Sequence, residues 1–234
     1  MARRPDRPLP TTPGHLMELA RRAIPPVHPA GRPYIAAGLV LAAVGLRHGW
    51  ARRLGLAAAV AAAAFFRQPH RVAPAGDKLV LAPADGEICL VDEAAPPAEL
   101  GWTDAKLPRI STFLSLFDAH VQRAPVAGRI AYAAYAPGRF HPADEPAASQ
   151  TNERMSLVLA TPEGAEVGVV QIAGLVARRI VCQVEAGDAL ATGQVYGLIR
   201  FGSRVDLYLP AGSAVEARLG QRAVGGETIL ARLP

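Results

Sequence analysis

The chain has 234 residues, half of them apolar, so a packed core is expected and general disorder is excluded. Its formal net charge of +5 suits an anionic partner, either a phospholipid surface or a nucleic acid. The two cysteines lie far apart and outside any CxxC motif. This spacing excludes a disulfide framework and a cysteine zinc site, and it indicates a reducing compartment.

The N-terminal third differs in composition from the rest of the chain. Residues 1–33 are rich in proline and arginine. We expect disorder over 1–14, a short amphipathic helix is open over 15–24, and prolines break the chain again after it. Residues 34–66 hold two apolar runs, 34–46 and 54–66, each shorter than the ~20 residues that a simple membrane-spanning helix needs.

Arginines flank both apolar runs on every side, so the positive-inside rule gives no orientation. Over residues 34–66 the pattern predicts a membrane-associated helical hairpin, held at one anionic surface by apolar burial and by charge attraction. A full crossing with shortened ends is also open. A third alternative is a buried, alanine-rich pair of helices in a soluble core.

From Lys78 onward the chain consists of short β-type runs separated by Gly, Pro and Asp. Two segments, VEAGDALATGQ (184–194) and ARLGQRAVGGE (217–227), each carry two glycines six residues apart followed by a polar residue. This turn pattern is typical of barrel-sandwich folds of the lipoyl or biotinyl carrier type, in which two similar half-motifs interlock. A carrier domain itself is excluded, because it needs a modifiable lysine and no lysine follows Lys106. We predict a mainly β (α+β) fold, with a barrel-sandwich-hybrid-like domain over residues 67–234.

One β-type run, LIRFGSRVDLYLP (198–210), carries a Gly-Ser pair in its middle. The hydroxyl of a serine can attack the preceding carbonyl where the backbone is strained, and a preceding glycine has no Cβ to hinder it. The resulting ester can eliminate, which breaks the chain and leaves dehydroalanine, and hydrolysis then gives an N-terminal pyruvoyl group. A β-bulge at Gly202-Ser203 is the alternative, and the spacing alone does not choose between them.

The stretch GLIRFGSRVDLYLP (197–210) resembles the cleavage-site signature of the pyruvoyl-dependent phosphatidylserine decarboxylases, in particular their short bacterial form. Three further stretches resemble the family in the same order along the chain. They are LAPADG (81–86), FLSLFDAHVQRAPVAG (113–128), and NERMSLV (152–158) followed by VGVVQIAGLVARRIVC (167–182). Together the matches extend over most of residues 65–234.

The resemblance implies a proenzyme that cleaves itself between Gly202 and Ser203. A β chain would then end at Gly202, and an α chain would begin with a pyruvoyl cofactor made from Ser203, the two staying together as a heterodimer. The implied substrate is phosphatidylserine in the membrane, whose amine forms a Schiff base with the pyruvoyl group. Loss of carbon dioxide then gives phosphatidylethanolamine. No metal and no nucleic acid is implied, and further oligomerisation is left open.

His120 is the candidate base for Ser203, because it is the only histidine of FDAHVQRAP and its ordinary pKa lies near working pH. Asp85 in PADG and Asp118 in FDAH are candidates to orient it. Longer members of the family carry a second histidine three residues after the first, where this chain has Arg123. Either His120 serves both stages or another residue acts as base. Arg123 is a candidate ligand of the lipid phosphate.

Two neighbouring features complete the set of candidate residues. Asn152, Glu153 and Arg154 match the NER of the family, and we expect them at most in a pocket wall. His141 lies in a proline-rich loop, so we expect it to be exposed and without a catalytic role.

Two other functions remain open on the sequence. A non-catalytic membrane adaptor with a lipoyl-like β domain shares the architecture but gives no reason for FGS or FDAHVQRAP. A pyruvoyl decarboxylase of a soluble amino acid shares the chemistry but gives no reason for the apolar runs. If the chain is instead a phosphatidylserine decarboxylase, a carboxy-lyase of phospholipid biosynthesis, we expect a peripheral or monotopic protein of the cell membrane with its catalytic domain in the cytoplasm.

Overall fold

The computed structural model describes residues 24–102, 106–143, 145–175, 179–200 and 202–234. Most of the proline- and arginine-rich segment predicted over residues 1–33 lies outside these ranges. Two helices begin the described chain, α1 (Arg32–Val44) and α2 (Gly49–Phe65), after a 3-10 turn at Pro29–Gly31 and joined by another at Gly45–Arg47. No helix in the described ranges is both long enough and apolar enough to span a membrane.

The two helices meet through their smallest residues. A Cβ added to Gly38 would lie 2.7 Å from the backbone nitrogen of Ala59, and one added to Gly55 would overlap the backbone nitrogen of Ala42. Because the contact is made by small residues, the larger apolar side chains point away from it. Val44, for example, is 78% exposed. The outer faces of the helical pair are therefore exposed. The alternative in which the two helices are buried in a soluble core does not agree with this exposure.

The remaining described residues form fourteen strands and one further helix, α3 (Ala148–Thr151), with a 3-10 turn at Ala98–Leu100. The strands are β1 (Leu79–Leu81), β2 (Gly86–Ala94), β3 (Leu107–Leu114), β4 (Val121–Arg123), β5 (Gly128–Ala136), β6 (Arg154–Ala160), β7 (Glu166–Ala173), β8 (Ile180–Cys182), β9 (Ala189–Leu190), β10 (Val195–Ile199), β11 (Ser203–Tyr208), β12 (Ala214–Val215), β13 (Arg222–Ala223) and β14 (Ile229–Arg232). The predicted mainly β class is confirmed.

The strands form one large and two small antiparallel sheets. The large sheet has the order β13-β2-β3-β11-β7-β6-β5-β9, and the small ones are β1-β14-β12 and β4-β10-β8. The main apolar cluster takes side chains from all three sheets, such as Val80 of β1, Ile199 of β10 and Val205 of β11. Each fully buried side chain of this kind contributes roughly 1.5–3 kcal/mol. All six residues of β11 are buried, so this strand lies at the centre of the fold.

The two half-motifs predicted from their glycines are present and equivalent. All four glycines have positive φ angles, namely Gly187, Gly193, Gly220 and Gly226. In the first motif the amide of Gly187 donates to the carbonyl of Ile130, and in the second the amide of Gly220 donates to the carbonyl of Ile88, both at 2.8 Å. The second glycines of the two motifs lie against each other. The motifs thus interlock as the sequence pattern indicated.

A smaller apolar cluster joins the helical pair to the sheet β4-β10-β8. Phe65 and Phe66, at the end of α2, pack there with Ala119, Val121 and Leu198. This cluster fixes the end of α2 beside the segment that carries the candidate histidine.

The prediction of one strand over residues 198–210 is wrong. β10 ends at Ile199 and belongs to a small sheet, whereas β11 begins at Ser203 in the large one. Gly202 lies before β11 with a φ of +64°, a left-handed conformation that glycine adopts without strain. The apolar pattern runs through both strands, so it did not reveal the change of sheet. The β-bulge alternative is also wrong, because the Gly-Ser pair lies at the junction.

Candidate active site

Ser203 is the first residue of β11 and is fully buried. It pairs with Leu114 of β3 on one side and with Ala173 of β7 on the other, so its backbone is held from both neighbours. Its hydroxyl has no hydrogen-bond partner in the described part of the chain. A buried polar group left unpaired costs about 1–3 kcal/mol, and such a cost in a folded protein points to a functional reason.

The carbonyl that precedes Ser203 lies against Gly174, the residue after β7. A Cβ on Gly174 would overlap the carbonyl oxygen of Gly202 and would lie 3.1 Å from the Cβ of Ala143. Glycine at position 174 therefore allows a close approach to the Gly202 carbonyl that other residues would prevent. Sequence reasoning included Gly174 in a matched stretch but gave it no role, because the contact joins positions 28 residues apart.

His120 is fully buried, and the structure defines which of its ring nitrogens is the acceptor. Its Nδ1 lies 3.0 Å from the backbone carbonyl of Asp118, so Nδ1 donates a proton there and Nε2 carries the lone pair. Nε2 is buried and unpaired within the described ranges. The His120 carbonyl accepts from the amide of Ile199, which links the histidine to the strand before the cleavage junction.

Burial lowers the pKa of His120 to about 4; Asp118 and Asp85 oppose this shift, and the charge of Arg67 adds to it. The expectation of a pKa near working pH is therefore wrong, because desolvation disfavours the imidazolium. The ring of Phe65 covers the imidazole at a centroid distance of 4.1 Å and contributes to this burial. His120 is thus neutral at physiological pH, with its Nε2 available as an acceptor.

The orienting hypothesis required a contact between the carboxylate of Asp118 and His120. Asp118 instead contacts His120 through its backbone carbonyl. One carboxylate oxygen accepts from the amide and hydroxyl of Ser115, at 2.8 and 2.7 Å. The other accepts from Arg222. These bonds fix the loop after β3, and its Asp118 carbonyl orients the imidazole. Asp118 remains a candidate residue in that indirect sense.

Asp85 is likewise bound to groups other than the imidazole. Its carboxylate accepts from Arg71, at 2.8 Å, and from the amide of Gly225, also at 2.8 Å. It thereby ties the segment after α2 to the second glycine half-motif. Its effect on His120 is a weak electrostatic one that raises the pKa. A catalytic role for Asp85 stays a prediction.

Arg123 is half-buried and holds two backbone carbonyls together. It donates to Gly193 at 2.8 Å and to Pro69 at 2.6 Å, so it clamps the segment that leaves α2 onto a half-motif turn. Burial lowers its pKa, with Arg71 as a second cause. Its role in binding lipid phosphate stays a prediction, and the observed contacts are structural.

Asn152 lies behind the strand opposite Ser203. It is fully buried and donates to the carbonyls of His141 and Ala173, both at 2.9 Å. Arg154 forms an ion pair with Glu99. His141 is exposed, as expected, and within the described ranges its hydrogen bonds are made by its backbone. Asn152 therefore supports the pairing partner of Ser203 and contributes to the site through the backbone.

Sequence reasoning missed two charged residues next to the junction, Arg204 and Asp206. Both are fully buried and form an ion pair on β11. On a strand their side chains face the side opposite that of Ser203. A buried Arg-Asp pair could have been suspected only if the strand had been known to be central, because RVDLY reads as an ordinary half-exposed strand.

An apolar groove of about 770 Å³ borders this region. Its lining is shared by α2, by Tyr34 of α1 and by the loop after β3, with Phe65, Phe66, Arg67, Leu116 and Phe117 as its larger side chains. Phe65 belongs both to the groove and to the contact with His120. The groove therefore connects the helical pair with the buried histidine, and its size is that of a small-molecule site.

The chain is similar over most of its length to known proteins of one family. The sequence model of the family described as phosphatidylserine decarboxylase matches residues 59–231. The phosphatidylserine decarboxylase proenzymes of Mycobacterium marinum and Mycobacterium ulcerans are 61% and 60% identical over 240 residues, covering all of each chain. That of Mycobacterium tuberculosis H37Rv is 61% identical over 225 residues, covering 96% of this chain and 97% of the relative. The chain therefore belongs to the phosphatidylserine decarboxylase family and is a decarboxylase.

Proposed function

We propose that the chain is a proenzyme that cleaves itself between Gly202 and Ser203 and then converts phosphatidylserine into phosphatidylethanolamine and carbon dioxide. The observation that carries the proposal is the buried hydroxyl of Ser203 at the start of a central strand, which has no hydrogen-bond partner among the described residues. It follows a glycine of left-handed conformation whose carbonyl lies against Gly174. A carbonyl and a hydroxyl held so rigidly can react with each other at a small entropic cost.

Self-cleavage needs no external oxidant. The hydroxyl oxygen of Ser203 attacks the carbonyl carbon of Gly202, the peptide C–N bond breaks, and the nitrogen takes up a proton to give an ester. Loss of the α-proton of Ser203 then breaks the Cβ–O bond, so Gly202 leaves as a carboxylate and dehydroalanine remains. Its imine tautomer adds water and loses ammonia, which leaves the ketone.

His120 is the residue best suited to accept the hydroxyl proton. It is neutral at physiological pH, and its Nε2 is a buried acceptor without a partner in the described residues. An imidazole with a pKa near 4 is a weak base on its own. Negative charge that develops on the Gly202 oxygen would raise the pKa of His120 during the reaction, because opposite charges stabilise each other in a buried site.

The residues around position 203 fit a pyruvoyl group. The ketone supplies an electrophile for the substrate amine and an electron sink for the bond to carbon dioxide. Ser203, from which it is made, is held between Leu114 and Ala173, and the remainder of β11 stays paired with both neighbouring strands. The new N-terminus is therefore retained at the same place after the chain is cut.

The helical pair suits presentation of this site to a membrane. Apolar side chains on the outer faces of α1 and α2 are largely exposed, and Phe117, on the loop beside them, is 89% exposed. Their burial in a bilayer surface together with arginine attraction to anionic lipid gives a surface-bound enzyme. We place the protein at the cell membrane with its catalytic domain on the cytoplasmic side.

Intact-mass measurement of the purified protein tests the cleavage. We expect two polypeptides, the lighter starting at position 203 with a ketone in place of an amine, and one uncut, inactive chain for Ser203→Ala. A single unmodified chain in the wild type would overturn the proposal and favour a membrane adaptor. Release of carbon dioxide from phosphatidylserine vesicles, but not from free serine or aspartate, separates this activity from that of a decarboxylase of soluble amino acids.

A further inference from the structure

Arg200, three residues before Ser203, lacks part of its hydrogen bonding. Its Nη1 donates to the hydroxyl of Tyr34 at 2.9 Å, and its guanidinium lies 5.4 Å from the centre of the same ring. Its Nε is buried and has no acceptor among the residues that the structure describes. An unpaired buried donor on a charged group is costly, so a bound acceptor beside Arg200 would stabilise it.

A second arginine, Arg67, belongs to the apolar groove that Tyr34 lines. Arg67 lines it and donates to the carbonyls of Ala64 and Phe117, both at 2.7 Å. Arginine has five N–H donors, so donors of this guanidinium are left without a partner among the residues that the structure describes. Tyr34, which holds Arg200, lines the groove as well. The groove therefore has apolar walls with the guanidinium of Arg67 in its lining, and Arg200 lies beside it, bound to the wall residue Tyr34.

We propose that this groove binds one glycerophospholipid molecule, with an acyl chain against α2 and Phe117 and with the phosphate held by Arg200 and Arg67. The inference rests on the proposed function and names the residues that would hold its substrate. Guanidinium groups bind phosphate oxygens through paired hydrogen bonds, and the apolar walls match an acyl chain. The volume of about 770 Å³ is enough for part of such a lipid, and the rest of its acyl chains would stay in the membrane.

The position of the groove supports this occupant. Phe65 forms part of its wall and also covers the imidazole of His120. A phosphate at Arg200 would lie near the chain segment that leads into Ser203, and the serine headgroup is joined directly to that phosphate. Arg123, the candidate from sequence, already binds two backbone carbonyls on another part of the fold.

Binding can be measured without any turnover in full-length Ser203→Ala protein. Calorimetric titration with dihexanoyl phosphatidylserine, kept below its micelle concentration, is expected to show one saturable site. Adding Arg200→Gln should weaken the affinity about 10-fold or more, because a charged hydrogen bond to the phosphate is lost. Arg200→Lys, which keeps the charge but loses the fork, should be intermediate.

The matched control is Arg232→Gln, which removes an exposed arginine of β14 that pairs with Glu216. Equal affinity of Arg200→Gln and Arg232→Gln for the lipid would overturn the phosphate site. Tyr34→Phe gives a second test, since it removes only the hydroxyl that holds Arg200, and it should also weaken binding. Thermal melting of each variant checks that it is folded.

Two further ligands separate the phosphate from the acyl chains. Glycerophosphoserine lacks the chains and dihexanoylglycerol lacks the phosphate, and both should bind more weakly than the complete lipid. Arg200→Gln should change the affinity for glycerophosphoserine but not for dihexanoylglycerol, and the reverse result would contradict the proposal. The proposed function can be contradicted while the lipid site is retained. In that case the wild-type chain would stay uncut and inactive but would still bind lipid through Arg200.

Discussion

Arg204 donates two hydrogen bonds to Asp206, at 2.7 and 3.0 Å, and both side chains are completely buried. Arg204 also donates to the carbonyls of Ala143 and Glu145. The pair thus joins β11 to the loop whose Ala143 lies next to Gly174. Ser203 owes the position of its backbone partly to charged groups on the other face of the sheet.

Removing one partner of this pair should be worse than removing both. Asp206→Asn leaves Arg204 buried without its counterion, and we expect a loss of roughly 3–5 kcal/mol in the free energy of unfolding. The double variant Arg204→Met with Asp206→Leu should be less destabilised than Asp206→Asn, since no buried charge remains. Urea denaturation of uncut variants in the Ser203→Ala background measures both. Equal losses would show that the pair does not act as a unit.

Gly174→Ala should slow self-cleavage while leaving a folded protein. The new Cβ would overlap the carbonyl oxygen of Gly202 and displace the group that Ser203 attacks. A displacement of about 1 Å can reduce the rate on the order of 100-fold. Gly49→Ala is the matched control, because a Cβ there meets nothing within 4 Å. The fraction of cut chain over time, followed on denaturing gels, would be the same in both variants if the close approach had no role.

Local patterns in the sequence were enough for the mainly β class and for the four glycine turns, because turn chemistry depends on neighbouring residues. They were not enough for contacts between distant segments. The carboxylate of Asp118 is bound by Arg222, 104 residues away, so its failure to face the imidazole could not be read locally. The low pKa of His120 has the same origin, because burial depends on Phe65 and on the packing of three sheets.

The pKa of His120 predicts how self-cleavage depends on pH. A histidine base with the ordinary pKa would begin to lose activity near pH 6.5, because it becomes protonated there. His120, with a pKa of about 4, stays neutral well below that pH. We expect the cleavage rate constant to be nearly flat from pH 8 down to about 5 and to fall only as the pH approaches 4. Rapid dilution of denatured precursor into buffers of different pH, followed by gel analysis, gives the profile. A midpoint near 6.5 would show that His120 is not the buried base described here.

The same shift has a consequence for stability. Because the folded protein lowers the pKa of His120, the unfolded chain binds its proton more readily between pH 6.5 and 4. Stability is therefore complete above pH 6.5 and decreases as the pH falls through this window, by about 3 kcal/mol in all. The free energy of unfolding of Ser203→Ala, compared with that of Ser203→Ala with His120→Asn, isolates this effect from the carboxylates. Parallel curves for the two proteins would contradict it.

Exposed apolar residues of the helical pair should govern membrane binding without affecting cleavage. Val44 and Val60 are 78% and 69% exposed, and serine at both positions removes apolar area that a bilayer would bury. We expect binding to anionic phosphatidylserine vesicles, measured by cosedimentation, to fall about 10-fold or more. Turnover of soluble dihexanoyl phosphatidylserine should be unchanged. Val72→Ser, at a position 82% exposed but outside the helices, is the control.

These substitutions test the membrane contact more directly than a truncation of residues 1–66. Such a truncation would also remove Phe65, which covers the imidazole of His120, so self-cleavage could fail for a reason unrelated to the membrane. With Val44→Ser and Val60→Ser the cluster around Phe65 stays intact, because both valines are largely exposed and neither belongs to it. Vesicle binding equal to that of Val72→Ser would show that α1 and α2 do not face the bilayer.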